Sequence, residues 1–150
     1  MLTQKAKYGL KALLMLAQQE QGEFTLVAEI AERQKLPRKY LELILLELRK
    51  QGFLHSQRGK HGGFRLAKPA DQITFGQIIR VLDGPLAPFP CASLTGYRKC
   101  EDCTDEQVCA VRKQMRRVRD AMAAILDSTT LAEAAAQGVA ADPAAEPALA

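Results

Sequence analysis

No apolar run in this 150-residue chain approaches the roughly 20 residues that a helix needs to cross a bilayer, so no membrane span is expected. The start, Met1-Leu2-Thr3-Gln4-Lys5-Ala6-Lys7, lacks the order of a secretory signal, and no cleavage-site pattern follows an apolar stretch. The expected location is therefore the cytoplasm, where thiols are kept reduced. Catalytic signatures are missing as well. The two histidines both lie in or beside one glycine-rich segment, and no G-x-x-x-x-G-K or G-x-G-x-x-G loop is present to cradle a phosphate. A CxxC oxidoreductase would set its pair at a strand–helix junction in an alternating α/β pattern, which does not occur here. An enzyme is not expected.

A chain of this length holds one domain, or one domain with an appendage, and buries enough core to fold without disulfides. Its charge is unevenly placed. Residues 1–70 carry 13 Lys/Arg against 6 Asp/Glu, a balance of +7, whereas residues 71–150 carry 8 against 11, a balance of −3. A basic half suggests a polyanion partner, because neutralising phosphates releases condensed counterions; a solvated, lysine-rich surface is the plainer alternative. Four cysteines in a reducing compartment point to metal, cluster or redox chemistry rather than to a disulfide staple.

The hydropathy pattern is mainly α with a small β-hairpin. Residues 8–17, YGLKALLMLA, are apolar over most of a helix circumference, so that helix is buried on more than one side. Thr25 can cap a short helix over 26–34, with Leu26, Val27 and Ile30 inward. Leu36-Pro37 opens a third helix with Leu41, Ile44, Leu45 and Leu48 on one stripe and Gly52 at its end. Residues 53–58 and 63–67 read as short strands around the tip Gly59-Lys60-His61-Gly62-Gly63. Thr74 can cap a further helix over 75–82. Residues 84–105 hold three prolines and three of the four cysteines and read as loop. A last long helix is expected over 106–126, where Val108, Val111, Met115, Val118, Met122 and Ile125 recur at spacings of 3, 4, 3, 4 and 3. That seam is heptad-like and suits dimerisation. From Ala132 onward the sequence is low in complexity and reads as disordered.

Helix, short helix, turn, longer helix and glycine-tipped hairpin is the order of a winged helix-turn-helix. Such a module exposes polar side chains at the N-terminal end of its second helix, where they meet base edges in the major groove. Arg38, Lys39, Tyr40 and Glu42 stand there. Arg and Lys reach phosphates or guanine acceptors, whereas Glu42 accepts only from a donor such as cytosine N4 and is a candidate discriminator. Taken alone, Glu42 is equally an exposed helix former. In the wing, Arg58, Lys60, His61 and Arg65 flank three glycines that let backbone approach DNA, and an arginine at a hairpin tip suits a narrow minor groove. A soluble hairpin with a basic tip is the bland alternative. A winged helix that binds only protein is a further class, and steep salt dependence of binding discriminates against it. His55 reads as a strand-packing or surface histidine. The expected layout is a DNA-binding domain over 1–83, a cysteine loop over 84–105, a dimerisation helix over 106–127 and a disordered tail over 128–150.

Three segments carry a resemblance: LTQKAKYGLKALLMLA, TLVAEIAERQKLPRKYLELILLELRKQGFL, and the wing SQRGKHGGFRLAKPADQIT with the following V-L-D-G. Over residues 1–127 the chain resembles the bacterial winged-helix regulators of the iron–sulfur cluster regulator type. That family also includes the nitric-oxide-sensitive and cysteine-metabolism repressors. The resemblance implies a homodimer on a palindromic operator of double-stranded DNA. It implies base reading by Lys39, Tyr40 and Glu42, a minor-groove contact by Arg58, and dimerisation through residues 106–126.

Cys91, Cys100, Cys103 and Cys109 have the spacing C-x8-C-x2-C-x5-C. Thiolates suit zinc and iron–sulfur clusters, and a loop holding four can wrap one such centre. Cluster-binding members of the family use three cysteines here plus a non-cysteine ligand, in some a histidine three positions after the last cysteine. By that resemblance Cys91, Cys103 and Cys109 match the three. The fourth position falls on Arg112, which cannot ligate, and Cys100 is extra. Three readings stay open: a [2Fe–2S] or [4Fe–4S] cluster whose loss changes DNA affinity, a direct thiol switch responding to oxidants or electrophiles, and structural zinc. Arg98, Lys99 and a helix N-terminus beside Cys109 favour thiolate; Glu101, Asp102 and Asp105 oppose it.

Overall fold

The leucine-rich first helix is the hub of the core. The computed structural model describes residues 2–139. They form α1 (Gln4–Ala17), α2 (Val27–Gln34), α3 (Arg38–Lys50), β1 (Leu54–Gln57), β2 (Gly63–Leu66), α4 (Phe75–Asp83), α5 (Ala110–Ser128) and α6 (Leu131–Val139). Single 3-10 turns lie at Ala70–Gln72 and Pro90–Ala92. Mainly helical with one antiparallel hairpin is the architecture expected from the sequence. No helix among the described residues is long and apolar enough to cross a membrane.

Helix α1 starts earlier than its apolar run because the Thr3 hydroxyl accepts from the Ala6 N–H (3.3 Å) and caps it. Leu13 and Leu16 of α1, Ile30 of α2, and Leu41, Ile44, Leu45 and Leu48 of α3 form one buried cluster with Leu54, Phe64, Ile73, Ile78 and Leu82. The stripe of α3 that the sequence assigns inward is therefore the one buried. Strands β1 and β2 pair in the register Leu54↔Leu66, Ser56↔Phe64 and Gln57↔Gly63. Thr25 is not the cap of α2. Its N–H and C=O exchange hydrogen bonds with Phe64 (2.9 Å each), extending the wing by one bridge, and Leu26 occupies the cap position instead.

The long helix begins at Ala110, not at 106. The Asp105 carboxylate accepts from the Gln107 N–H (2.8 Å), which holds 105–108 in a turn, and the Cys109 sulfur then caps the helix. Val108 consequently precedes the helix rather than opening its seam. The tail expected over 128–150 is corrected as well. Thr130 and Glu133 form reciprocal hydrogen bonds of 3.0 and 3.1 Å that start α6, whose Leu131 is fully buried and whose Ala135 packs toward α1. The Leu131 N–H also donates to the Ile73 carbonyl (2.9 Å), so α6 closes the winged-helix core after the excursion of α5. The remainder of the expected tail, residues 140–150, lies outside the described residues.

Candidate DNA interface and cysteine loop

Helix α3 is amphipathic in a way that leaves its first turn polar and exposed: Arg38, Lys39 and Tyr40 all face water ahead of buried Leu41. Arg38 Nε donates to Glu42 Oε1 across one turn (3.1 Å), so the two candidate readers are paired with one another. A groove of about 350 Å³ between the start of α3 and the wing brings Arg38, Glu42, Arg49 and Arg58 together. Lys60 and His61 stand exposed at the hairpin tip, beyond that groove. Tyr40 turns the other way, packing edge-to-face on Tyr8 of α1 with ring centres 5.9 Å apart, so it braces α3 while keeping a wet edge.

Arg49 is a residue that reading the sequence missed. Its guanidinium donates to the Ser56 hydroxyl (2.9 Å), tying the far end of α3 to β1 and presenting a third arginine to the groove. Helical spacing carries the signal, because positions 38, 42 and 49 fall on one stripe. Arg65 is not at the wing tip. It donates to the Gly22 carbonyl (3.2 Å) and lies over the Phe24 ring at 4.7 Å, at the wing's base. Two of the three wing glycines are required by the fold itself. A Cβ on Gly62 would strike the Gln57 carbonyl, and one on Gly63, at φ +122°, would strike the Thr25 backbone. These two close the wing on itself.

In the cysteine loop, Cys91 is buried in the 3-10 turn and the other three thiols are half-buried. Cys100 sits beside Cys91, and Cys103 neighbours both Cys100 and Cys109. The Cys91 thiol pushes Cys100 above the ordinary thiol pKa, with desolvation, Asp102 and Cys103 adding to it. Desolvation raises Cys103, reinforced by Cys109 and Glu106 and only partly offset by Lys99. At Cys103, burial together with thiol and acidic neighbours thus outweighs the lysine. The donor set, four thiols on one loop, fits soft-metal or cluster chemistry. As placed, no three His, Cys, Asp or Glu side chains among the described residues gather closely enough to hold a metal ion.

The loop is fastened to α5 at three points. Cys109 Sγ accepts from the Arg112 N–H (3.4 Å), Arg112 Nε donates to the Cys91 carbonyl (2.8 Å), and the buried Arg119 donates to the Ala92 carbonyl. Arg112 also lies 5.9 Å from the Tyr97 ring, whose hydroxyl donates to Glu106. With that face of α5 turned to the loop and to α4, the seam of Val111, Met115, Val118, Met122 and Ile125 is left outward. Val111, Val118 and Ile125 are exposed, and the two methionines are half-buried.

Comparison with known proteins gives this geometry a family. Residues 2–137 match the family model Rrf2, described as iron-dependent transcriptional regulator. The match includes most of α6, beyond the span of the resemblance read from the sequence. The chain is 42% identical over 141 residues to an rrf2-like HTH-type transcriptional regulator of Rhodobacter capsulatus, covering 92% of this chain and 94% of the relative. The solved structure of CymR, the global cysteine regulator of Bacillus subtilis, is similar at TM-score 0.76 and 36% identity, over 91% of this chain and 97% of that one. IscR of T. potens is similar at TM-score 0.73 and 29% identity, over 98% and 92% respectively. The chain therefore belongs to the Rrf2 family: it is a winged-helix, DNA-binding transcriptional regulator and not an enzyme.

Proposed function

We propose that the chain works as a cytoplasmic homodimer that represses from a palindromic operator, and that the state of the cysteine loop sets its affinity through an iron–sulfur cluster. Helix α3 enters the major groove of each half-site, with Arg38, Lys39 and Glu42 toward the bases and Arg58, Lys60 and His61 carrying the wing along the adjacent backbone and minor groove. The seam of α5 supplies the dimer contact. Val111, Val118 and Ile125 are exposed on a helix roughly 28 Å long, and covering such a stripe is what an antiparallel or parallel copy of the same helix does.

The observation that carries the regulatory part is the fastening of the loop to the dimer helix. Cys109 is at once a candidate ligand and the N-cap of α5, while Arg112 and Arg119 hold the backbone of Cys91 and Ala92 against the same helix. A change at the thiols therefore alters how α5 starts and how the loop lies on it. Half-sites lie about one DNA turn, roughly 34–36 Å, apart, so a small rotation at α5 takes one recognition helix out of register. Bound there, a cluster would supply a redox-labile centre held by Cys91, Cys103 and Cys109, with Cys100 as fourth thiolate. The family description as iron-dependent supports this reading.

A thiol switch without a cluster is the second reading. It is favoured by the adjacency of Cys100 to Cys91. Anaerobic purification followed by absorption spectroscopy, iron, sulfide and zinc analysis, and operator binding before and after oxidation separates the readings. A coloured protein with iron and sulfide whose affinity changes on bleaching supports the cluster. A colourless, metal-free protein whose affinity changes on thiol oxidation supports the switch, and zinc alone makes the site structural. Affinity indifferent to every treatment overturns the regulatory proposal.

A further inference from the structure

The outermost line of α3 is not its arginine face. At 3.6 residues per turn, buried Leu41, Ile44, Leu45 and Leu48 centre on one side, and Lys39, Leu43, Leu46 and Lys50 stand opposite. Leu43 is 65% exposed and Leu46 36%. The acids on this helix are engaged, Glu42 by Arg38 (3.1 Å) and Glu47 by Lys5 (2.6 Å), whereas Lys39 and Lys50 form no ion pair among the described residues. The exposed surface of α3 is thus apolar at its centre and cationic at both ends.

That pattern complements a DNA groove, with anionic phosphates along the rims and base edges on the floor. The apolar group that base edges present in the major groove is the thymine 5-methyl. We propose that Leu43, supported by Leu46, selects thymine in each half-site by packing on 5-methyl groups. This rests on the reading of α3 as the recognition helix. The two neighbours then divide the work: Glu42 takes a hydrogen-bond donor, and Leu43 takes a methyl. Leucine over guanine O6 or cytosine N4 would leave that polar edge desolvated without a partner, so the contact also rejects G·C pairs.

The test uses a duplex selected by the full-length protein from a pool of randomised synthetic DNA. Each thymidine is replaced in turn by deoxyuridine, which removes the methyl and leaves every hydrogen-bonding group in place. At fixed salt, the wild type should bind about fourfold more weakly at one or two positions per half-site, the factor corresponding to about 0.8 kcal/mol for one buried methyl. Leu43→Ala, at an exposed position that leaves the fold intact, should bind thymidine and deoxyuridine duplexes alike. Wild-type binding indifferent to every replacement overturns the inference, as does an undiminished penalty in Leu43→Ala. Lys39→Ala and Arg38→Ala report separately on the recognition-helix reading: weaker binding to all sequences supports it, and unchanged binding removes it together with the inference.

Discussion

Arg112 shows what a single side chain can do that its position in the sequence does not announce. It stands where some family members place a histidine ligand, and its guanidinium reaches back 21 residues to the Cys91 carbonyl. Residue type alone says that it cannot bind a metal; only the folded loop says that it ties one candidate ligand to α5. Arg119 does the same for Ala92 from a position 7% exposed. Arg119→Leu should cost roughly 1–3 kcal/mol in denaturant unfolding, because the carbonyl it serves is left without a donor. At the DNA face, Glu42 predicts a change of preference rather than a loss of binding. Glu42→Ala should relax discrimination at one base pair per half-site by roughly 1–3 kcal/mol, read from binding to single-base operator variants. The cysteines and the polar start of α3 were legible because residue type and spacing identify them. Arg49 and Arg112 were not, because their partners are brought close by tertiary packing.

At the scale of elements, periodic apolar segments announced themselves and small-residue segments did not. The stripe of α3 and the Thr74 cap follow directly from pattern, and the latter is completed by Gln77 as a capping box. Helix α6 was hidden by its composition, since alanine packs closely against α1 without showing a large apolar face. Its one signal was Thr130-Leu131-Ala132-Glu133, the T-x-x-E spacing of a capping box. Leu131→Ala should destabilise the protein by roughly 2–5 kcal/mol, measured by denaturant unfolding, because that side chain fills the core alongside Ile73. Hydrogen bonds from the Thr130 N–H and hydroxyl hold the Glu133 carboxyl below its ordinary pKa. A carboxylate with a depressed folded pKa contributes stability above the ordinary carboxylate range and loses it as pH falls through the folded value. Protection of the α6 amides against hydrogen exchange should therefore fall on acidification, and Glu133→Gln should flatten that dependence.

On the scale of the whole molecule, the proposed function divides the work: the winged helix reads DNA, the cysteine loop regulates the reading, and α5 joins the two. The basic half supplies α1 to α3 and the wing, whereas the acidic half supplies the loop and α5 and also α4 and α6, which pack into the winged-helix core. Val118→Asp with Ile125→Asp should give a monomer in sedimentation while preserving the helical spectrum, since both side chains are exposed in the described chain. Operator affinity should fall with it, because a palindrome needs two correctly spaced recognition helices. The order of elements through α5 was readable from sequence because each has its own apolar pattern or composition; the fastening of the loop to α5 was not, because it consists of side chains reaching backbone carbonyls. Whether the cysteine loop governs DNA affinity is read from a pair of operator-binding isotherms at one salt concentration, for anaerobically purified and oxidised protein. Control by the loop predicts isotherms about 5- to 150-fold apart, the range of ordinary allosteric coupling, that merge in Cys109→Ser. Superimposable isotherms in the wild type would contradict it.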